Sequence, residues 1–379
     1  MPADLAIYIH WPFCKRICPY CDFNVRRAED VDQGRWQAAF LGEAAYFAAE
    51  FPDRTVNSIF FGGGTPSLME GDTVAGIIDG IQSLWPTSKT LEISIESNVS
   101  TAEVNRFESF RYAGVTRLSL GVQSLDDQAL AFLGREHSAA DAVTALRHGQ
   151  GLFSSVSIDL IYARPQQSVE SWQQELSQAL EHAKDHLSLY QLTIEPGTPF
   201  AQQKVAVPDE DLAATLYEVT NNLVEESGLS AYEVSNYGRP GHECRHNLTY
   251  WLGGDYVGLG PGAHGRLTKN QQTDALYQIH TPQRWLDAVE DHHHGTANRT
   301  RLTSQERIEE LIMLGLRRVK GIDNKQFLTL TGISLKQFLD GARIDDLSEG
   351  GFIIVDRNGI RTTPAGRQRL NAILKHLLT

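Results

Sequence analysis

Residues 8–23 read Tyr8-Ile9-His10-Trp11-Pro12-Phe13-Cys14-Lys15-Arg16-Ile17-Cys18-Pro19-Tyr20-Cys21-Asp22-Phe23, which places three thiols at spacings of four and three directly after an apolar run. A strand over Leu5 to His10 would deliver all three cysteines into one short loop at its end. Each thiolate can take one iron of a [4Fe–4S] cube. With only three donors, Cys14, Cys18 and Cys21, the fourth iron stays open to another ligand, as a catalytic metal requires. Lys15 and Arg16 are placed to keep the thiols ionised and to offset the cluster's negative charge. The plain alternative is a structural zinc site, which normally closes with four ligands drawn from two paired knuckles.

Working outward, composition narrows the choices. The chain has 379 residues, with 41% hydrophobic and 21% charged, the balance of an ordinary globular protein. Its formal charge of −13 disfavours both nucleic-acid binding and adhesion to anionic lipid. Four cysteines are too few for a disulfide scaffold, and three crowd within eight positions. No run of about 18 apolar residues occurs, and Met1-Pro2-Ala3-Asp4 lacks the basic and apolar regions of a secretion signal. The expectation is a cytoplasmic protein without stable membrane insertion.

From residue 5 to about 235, short β-branched runs alternate with longer helical stretches. Six strands are predicted: Leu5 to His10, Ser58 to Phe61, Leu91 to Glu96, Arg117 to Gly121, Ser155 to Ile161 and His186 to Gln191. Helices such as Arg35 to Glu50 and Asp209 to Glu226 fall between and after them. The predicted class is therefore α/β: a partial (β/α)6 barrel over 1–235, with its site at the C-terminal ends of the strands. Residues 236–300 read as a glycine- and aromatic-rich loop region and connector. Past residue 300 a small α+β domain over 301–379 is predicted. Thr303 and Glu306 form a capping box for a helix through Val319, and Phe352 to Val355 and Ile360 to Thr362 flank an Asp356-Arg357-Asn358-Gly359 hairpin turn. The order resembles a winged helix, but Asp340, Asp345, Asp346 and Glu349 surround it, so a structural or lid role is expected over DNA binding.

Further polar and glycine positions fall at the ends of the predicted strands. Phe60-Phe61-Gly62-Gly63-Gly64-Thr65-Pro66 follows the second, and its glycines let bare backbone approach a ligand. Glu96 ends the third, Gln123 follows the fourth, Arg135 opens a helical region and Asp159 lies near the end of the fifth. A carboxylate can bind an ammonium, a guanidinium can grip a carboxylate in a fork, and oxygens can accept from ribose hydroxyls.

The cysteine spacing resembles the signature of the radical S-adenosylmethionine superfamily. That resemblance implies a (β/α)6 partial barrel in which the methionyl amine and carboxylate chelate the open iron, and an electron splits the sulfonium to a 5′-deoxyadenosyl radical. It further implies an electron donor for the cluster. It assigns Gly63, Gly64 and Thr65 to the amine-binding edge, Glu96 to the ammonium, Arg135 to the carboxylate, Gln123 and Asp159 to the ribose, and Tyr8 and Tyr20 to cofactor contact. His264 is a further candidate to close over the adenosine.

The order Tyr-Ile-His-x-Pro-Phe-Cys, Gly-Gly-Gly-Thr-Pro, Gly-Val-Gln-Ser, Asp-Leu-Ile-Tyr is similar to that of the oxygen-independent coproporphyrinogen III oxidase family over nearly the whole chain. Within it, the oxidases carry another cysteine two positions beyond the third ligand, where this chain has Phe23. The heme-chaperone (HemW) branch carries His-Asn-x-x-Tyr-Trp, matched here by His246-Asn247-Leu248-Thr249-Tyr250-Trp251. The resemblance thus implies a protein that binds heme and hands it to respiratory apoproteins. The oxidase, or another radical enzyme acting on a tetrapyrrole, is the alternative. His246 is the candidate axial ligand and Cys244 the rival, although a free cysteine is more often a small buried side chain. His292-His293-His294 reads as a solvated linker. Two departures stand out: Val99 where a proline is usual, and Ala163-Arg164-Pro165 where Gly-Leu-Pro is typical. The second leaves the shape of the loop after Asp159 open, and the oligomeric state is open as well.

Overall fold

The computed structural model describes residues 4–27 and 30–379. Six strands run parallel and lie side by side in chain order: β1 (Asp4–Trp11), β2 (Thr55–Gly63), β3 (Thr87–Ser97), β4 (Arg117–Gln123), β5 (Ser155–Tyr162) and β6 (His186–Gln191). Consecutive strands are joined across α1 (Gln33–Glu50), α2 (Gly71–Leu84), a short helix Phe107–Tyr112, α3 (Ala139–Leu152) and α4 (Val169–His182). Helix α5 (Glu210–Glu226) follows, its N-terminus capped by Asp209, whose carboxylate accepts from Leu212 N at 2.9 Å. Strand interiors are buried almost continuously, as in Leu5 to Ile7 and Ile9 to Trp11, because helices cover them. The six predicted strands are all present, each extended by a residue or more at one or both ends except His186–Gln191.

The segment read as a loop region departs from expectation. It contains β7 (Asn236–Gly238), α6 (Arg245–Trp251), β8 (Asp255–Leu259), β9 (His264–Lys269), β10 (Gln272–Gln278), α7 (Pro282–His292) and β11 (Thr296–Arg301). Strand β8 pairs in parallel with β1, Leu5 opposite Asp255 and Ile9 opposite Leu259, and β9 to β11 continue antiparallel beyond it. On the other edge, β7 pairs antiparallel with β6 and with Ser230–Ala231. The result is one open 12-stranded sheet rather than six strands and a loop. One buried side chain anchors the extension. Glu43 of α1 accepts from Gly260 N at 3.0 Å, Gly295 N at 2.8 Å and Trp285 Nε1 at 3.1 Å, while Trp36 stacks on Trp285 at 5.4 Å.

Residues beyond 300 gather around a separate apolar cluster that includes Ile312, Leu316, Phe327, Ile353 and Ile373. The Thr303–Glu306 capping box forms, but its helix, α8 (Ser304–Gly315), ends before Val319, whose N–H bonds the Tyr232 carbonyl at 3.1 Å instead. Ile353–Val355 and Gly359–Thr362 pair antiparallel about the predicted turn, with Ile322–Asp323 beside them. Among the described residues no helix is long and apolar enough to cross a membrane.

Candidate functional site

The cluster loop leaves β1 at Trp11 and is closed by a two-residue pairing of Phe13–Cys14 with Arg26–Arg27. The glycine turn after β2 lies directly against it: Gly64 N donates to Trp11 O at 2.7 Å and Thr65 N to Phe13 O at 2.9 Å. Only glycine fits at 64, since a Cβ there would stand 2.7 Å from Phe13 O and 3.0 Å from Cys14 Sγ. Bare backbone therefore reaches the first thiol.

A hydrogen-bonded chain links two of the cysteines. Thr65 Oγ1 donates to Cys14 Sγ at 3.4 Å and accepts from Asn98 Nδ2 at 3.2 Å; the Asn98 carbonyl accepts from Arg135, whose Nη1 reaches Cys18 Sγ at 3.3 Å. Asn98 is not among the residues the sequence singles out. Arg135 also bonds Gly121 O at 3.2 Å, so gripping a ligand carboxylate would mean exchanging a present partner. Burial opposes its charge, yet Tyr20, Cys18 and Glu103 hold its pKa above the ordinary value.

Lys15 and Arg16 are exposed, and neither is among the groups that act on Cys14 or Cys21: burial raises the pKa of Cys14 and pushes Cys21 up to about 11. Arg16 instead pairs with Glu136 at 3.2 Å on the surface. Among the described residues no three His, Cys, Asp or Glu side chains converge on one point as a single ion's ligands. A cube asks for something else, one thiolate at each of three corners.

A cavity of about 410 Å³ opens beside the three cysteines. It brings Tyr20, Gly63, Gly64, Thr65, Glu96, Gln123, Arg135 and Asp159 together with Cys14, Cys18 and Cys21. These residues come from the ends of β1 to β5 and the loops after them, the carboxyl ends of the parallel strands. Among the described residues, Glu96 Oε2 accepts only from Gly63 N, at 3.3 Å. Burial, then the charge of Asp159, pushes its pKa up to about 8. Asp159 accepts from Ser119 Oγ at 2.7 Å and Ser157 Oγ at 2.9 Å, and burial raises its pKa too. Gln123 adopts φ +67° where the β4–β5 register shifts, a left-handed backbone that a non-glycine residue seldom takes and that re-aims its side chain. Ala163 likewise adopts φ +55°, which is the physical reason glycine suits that position. Its neighbour Arg164 is buried, ion-paired to Glu175 and bonded to Ser124 at 2.6 Å, which fixes the loop after Asp159.

Three predicted residues do not line this cavity. Tyr8 lines a different cavity, of about 460 Å³, together with His10, Tyr250 and His264, and the charge of Glu96 at the cluster cavity also acts on its hydroxyl. His246 lines neither cavity. It is 1% exposed, with Nδ1 3.1 Å from Ser58 Oγ, Nε2 2.7 Å from Tyr250 OH, and its ring stacked on Phe60 at 4.9 Å. Burial pushes its pKa down to about 3. An axial ligand must present a free nitrogen to a cavity, and here both are engaged, so the structure does not place His246 as a heme ligand. Cys244 is buried as well, its thiol 3.6 Å from Glu92 Oε1 and its pKa pushed up to about 12 by burial. His292 and His293 end α7, and His294 accepts from Thr296 N at 3.2 Å.

Comparison with known proteins agrees with this geometry. The Radical SAM superfamily model matches residues 8–179 and the HemN C-terminal domain model matches 302–369. The mitochondrial radical S-adenosyl methionine domain-containing protein 1 of Mus musculus is 38% identical, covering 98% of this chain and 87% of its own length. Heme chaperone HemW of Escherichia coli K12 is 34% identical over 99% of this chain and 98% of its own. Among solved structures, the radical SAM coproporphyrinogen III oxidase HemN of E. coli superposes with a TM-score of 0.84 at 22% identity, covering 99% of this chain and 90% of that one. Superfamily membership implies a [4Fe–4S] cluster and S-adenosylmethionine, and the cysteine loop, the bare glycine edge and the polar cavity fit both. With its cluster loop, its glycine edge and its full-length relatives in agreement, the chain belongs to the radical S-adenosylmethionine superfamily and, within it, to the family of HemN and HemW.

Proposed function

We propose that this chain is a heme chaperone that carries a [4Fe–4S] cluster on Cys14, Cys18 and Cys21, binds S-adenosylmethionine beside it, and delivers heme to respiratory apoproteins. The observation that carries the reading is Phe23, 61% exposed at the cavity. An aromatic ring stands where the oxidases have a further cysteine, and full-length relatives with this architecture are named heme chaperones.

The bound cluster and cofactor together supply one-electron chemistry at the sulfonium. The chain's own residues hold and orient. Glu96, which has a single hydrogen bond, is assigned to the cofactor's ammonium. Arg135 is assigned to its carboxylate, Gln123 and Asp159 to its ribose, and Tyr20 and the Gly63 to Thr65 edge to its flank. The proposed compartment is the cytoplasm, which localisation of the tagged chain checks directly, since the vertebrate relatives are named mitochondrial.

The test is anaerobic reconstitution followed by two incubations. Stoichiometric heme uptake, with no protoporphyrinogen formed from coproporphyrinogen III, supports the chaperone reading. Turnover of coproporphyrinogen III, or no heme uptake, overturns it.

A further inference from the structure

The cavity of about 460 Å³ that holds Tyr8 adjoins the cluster cavity at Gly63 and His10. A Cβ on Gly63, which lines the cluster cavity, would lie 2.7 Å from the His10 ring, and His10 lines the second cavity. Aromatic rings give the second cavity its apolar surface: Tyr250 packs edge-on against Tyr256 at 4.4 Å, with Trp251 alongside. Its volume falls in the range of sites for cofactor-sized ligands, which are largely apolar with a few placed polar groups.

Those polar groups are specific. Arg266 Nε and Arg307 Nη1 both bond one carboxylate, Glu310, at 2.8 and 2.6 Å, so two guanidiniums share a single negative charge at the cavity. One positive charge is left over in a chain whose net charge is −13. Three imidazoles lie in or near the cavity, and two are closed. His246 is engaged through both nitrogens, and His10 bonds Asn24 O at 2.9 Å and Tyr8 OH at 3.1 Å. His264 differs. Its ring lies against Tyr277 at 4.7 Å and makes no hydrogen bond among the described residues.

We propose that this second cavity is the heme site, with His264 as the axial ligand to the iron and Arg266 and Arg307 as partners of the propionates. The placement rests on the heme-chaperone reading and deepens it. A flat macrocycle would lie against the Tyr250, Trp251 and Tyr256 surface, its carboxylates drawing the arginines from Glu310. Because His264 is exposed, the bound iron stays near the surface, from which it can be passed on.

The test is a heme titration of the reconstituted full chain, read at the Soret band. His264→Ala should shift the band and weaken binding at least tenfold, and free imidazole should restore the wild-type position. Iron, sulfide and S-adenosylmethionine binding should not change, which verifies the fold. An Arg266→Gln/Arg307→Gln variant should lose at least tenfold for heme but bind heme dimethyl ester, whose propionates are blocked, as the wild type does. Saturating S-adenosylmethionine should leave heme bound. A wild-type spectrum and affinity in His264→Ala, or displacement of heme by S-adenosylmethionine, overturns the placement while leaving the chaperone reading intact. No heme uptake by the wild type overturns both.

Discussion

Replacing Glu96 with glutamine should move two measurements in opposite directions. The carboxylate is buried, accepts from Gly63 N at 3.3 Å, and interacts with Asp159 and with the Tyr8 and Tyr190 hydroxyls. Its pKa stands at about 8 in the fold against 4.5 for the free side chain. A group whose folded pKa is raised costs nothing below its unfolded pKa; the cost grows between the two values and is constant above the higher one. At about 1.4 kcal/mol per pH unit, a Glu96 that the fold holds mostly protonated at pH 7, where the unfolded chain would ionise it, costs roughly 3 kcal/mol. Glutamine keeps the shape and an oxygen for Gly63 N–H without the charge. The variant free of S-adenosylmethionine should therefore melt higher than wild type at pH 7 to 8, by roughly 5 °C, and match it near pH 4.5. Its affinity for S-adenosylmethionine should fall about 10- to 150-fold, the value of a hydrogen bond to a charged group, 1.5 to 3 kcal/mol. Anaerobic thermal melts across pH and equilibrium dialysis read the two effects. A variant that is less stable at pH 8, or that binds the cofactor like wild type, would refute the idea of a strained carboxylate waiting for an ammonium.

Gly64→Ala should cut the iron and sulfide taken up in reconstitution to below half of wild type, because its Cβ would force apart backbone and thiol at the first ligand, an overpacking cost of about 1–3 kcal/mol. Arg164→Leu should lower urea stability by about 3–5 kcal/mol by leaving Glu175 buried without its cation, and Arg164→Leu/Glu175→Leu should recover most of the loss.

The parts of the fold that were legible in the sequence are those written in local pattern. The six parallel strands announce themselves by β-branched runs at regular spacing, and the cluster loop by thiols only three and four residues apart. Glu96, Gln123, Arg135 and Asp159 could be grouped in advance because strands in such a sheet deliver their ends to one side. What failed depends on contacts between distant segments. Asp255–Leu259 is five residues with two glycine neighbours, and its identity as a strand comes from pairing with β1 some 250 positions earlier. Motif matching singles out His246 as a candidate ligand but cannot give its direction; one helical turn sets it against Tyr250, and β2 supplies Ser58 for its other nitrogen. The resemblance assigns Tyr8 to cofactor contact, and strand alternation puts it on the same face as His10, with which it lines the second cavity.

Gly63 shows why the two cavities cannot be varied independently. It takes φ +110°, which disfavours any side chain, and a Cβ there would also collide with His10. That ring cannot simply yield, because Asn24 O and Tyr8 OH hold its two nitrogens. Asn24 in turn follows the cluster loop by three residues and donates to Pro261 O at 2.9 Å and His280 O at 2.7 Å, on the chain segments flanking β9 and β10. A change that relaxed the glycine edge of the cluster cavity would therefore shift His10, then Asn24, and through it the segment that leads into His264. The same glycine that presents bare backbone to the cluster cavity on one side packs against the wall of the second cavity on the other, so the two cavities share a mechanical constraint.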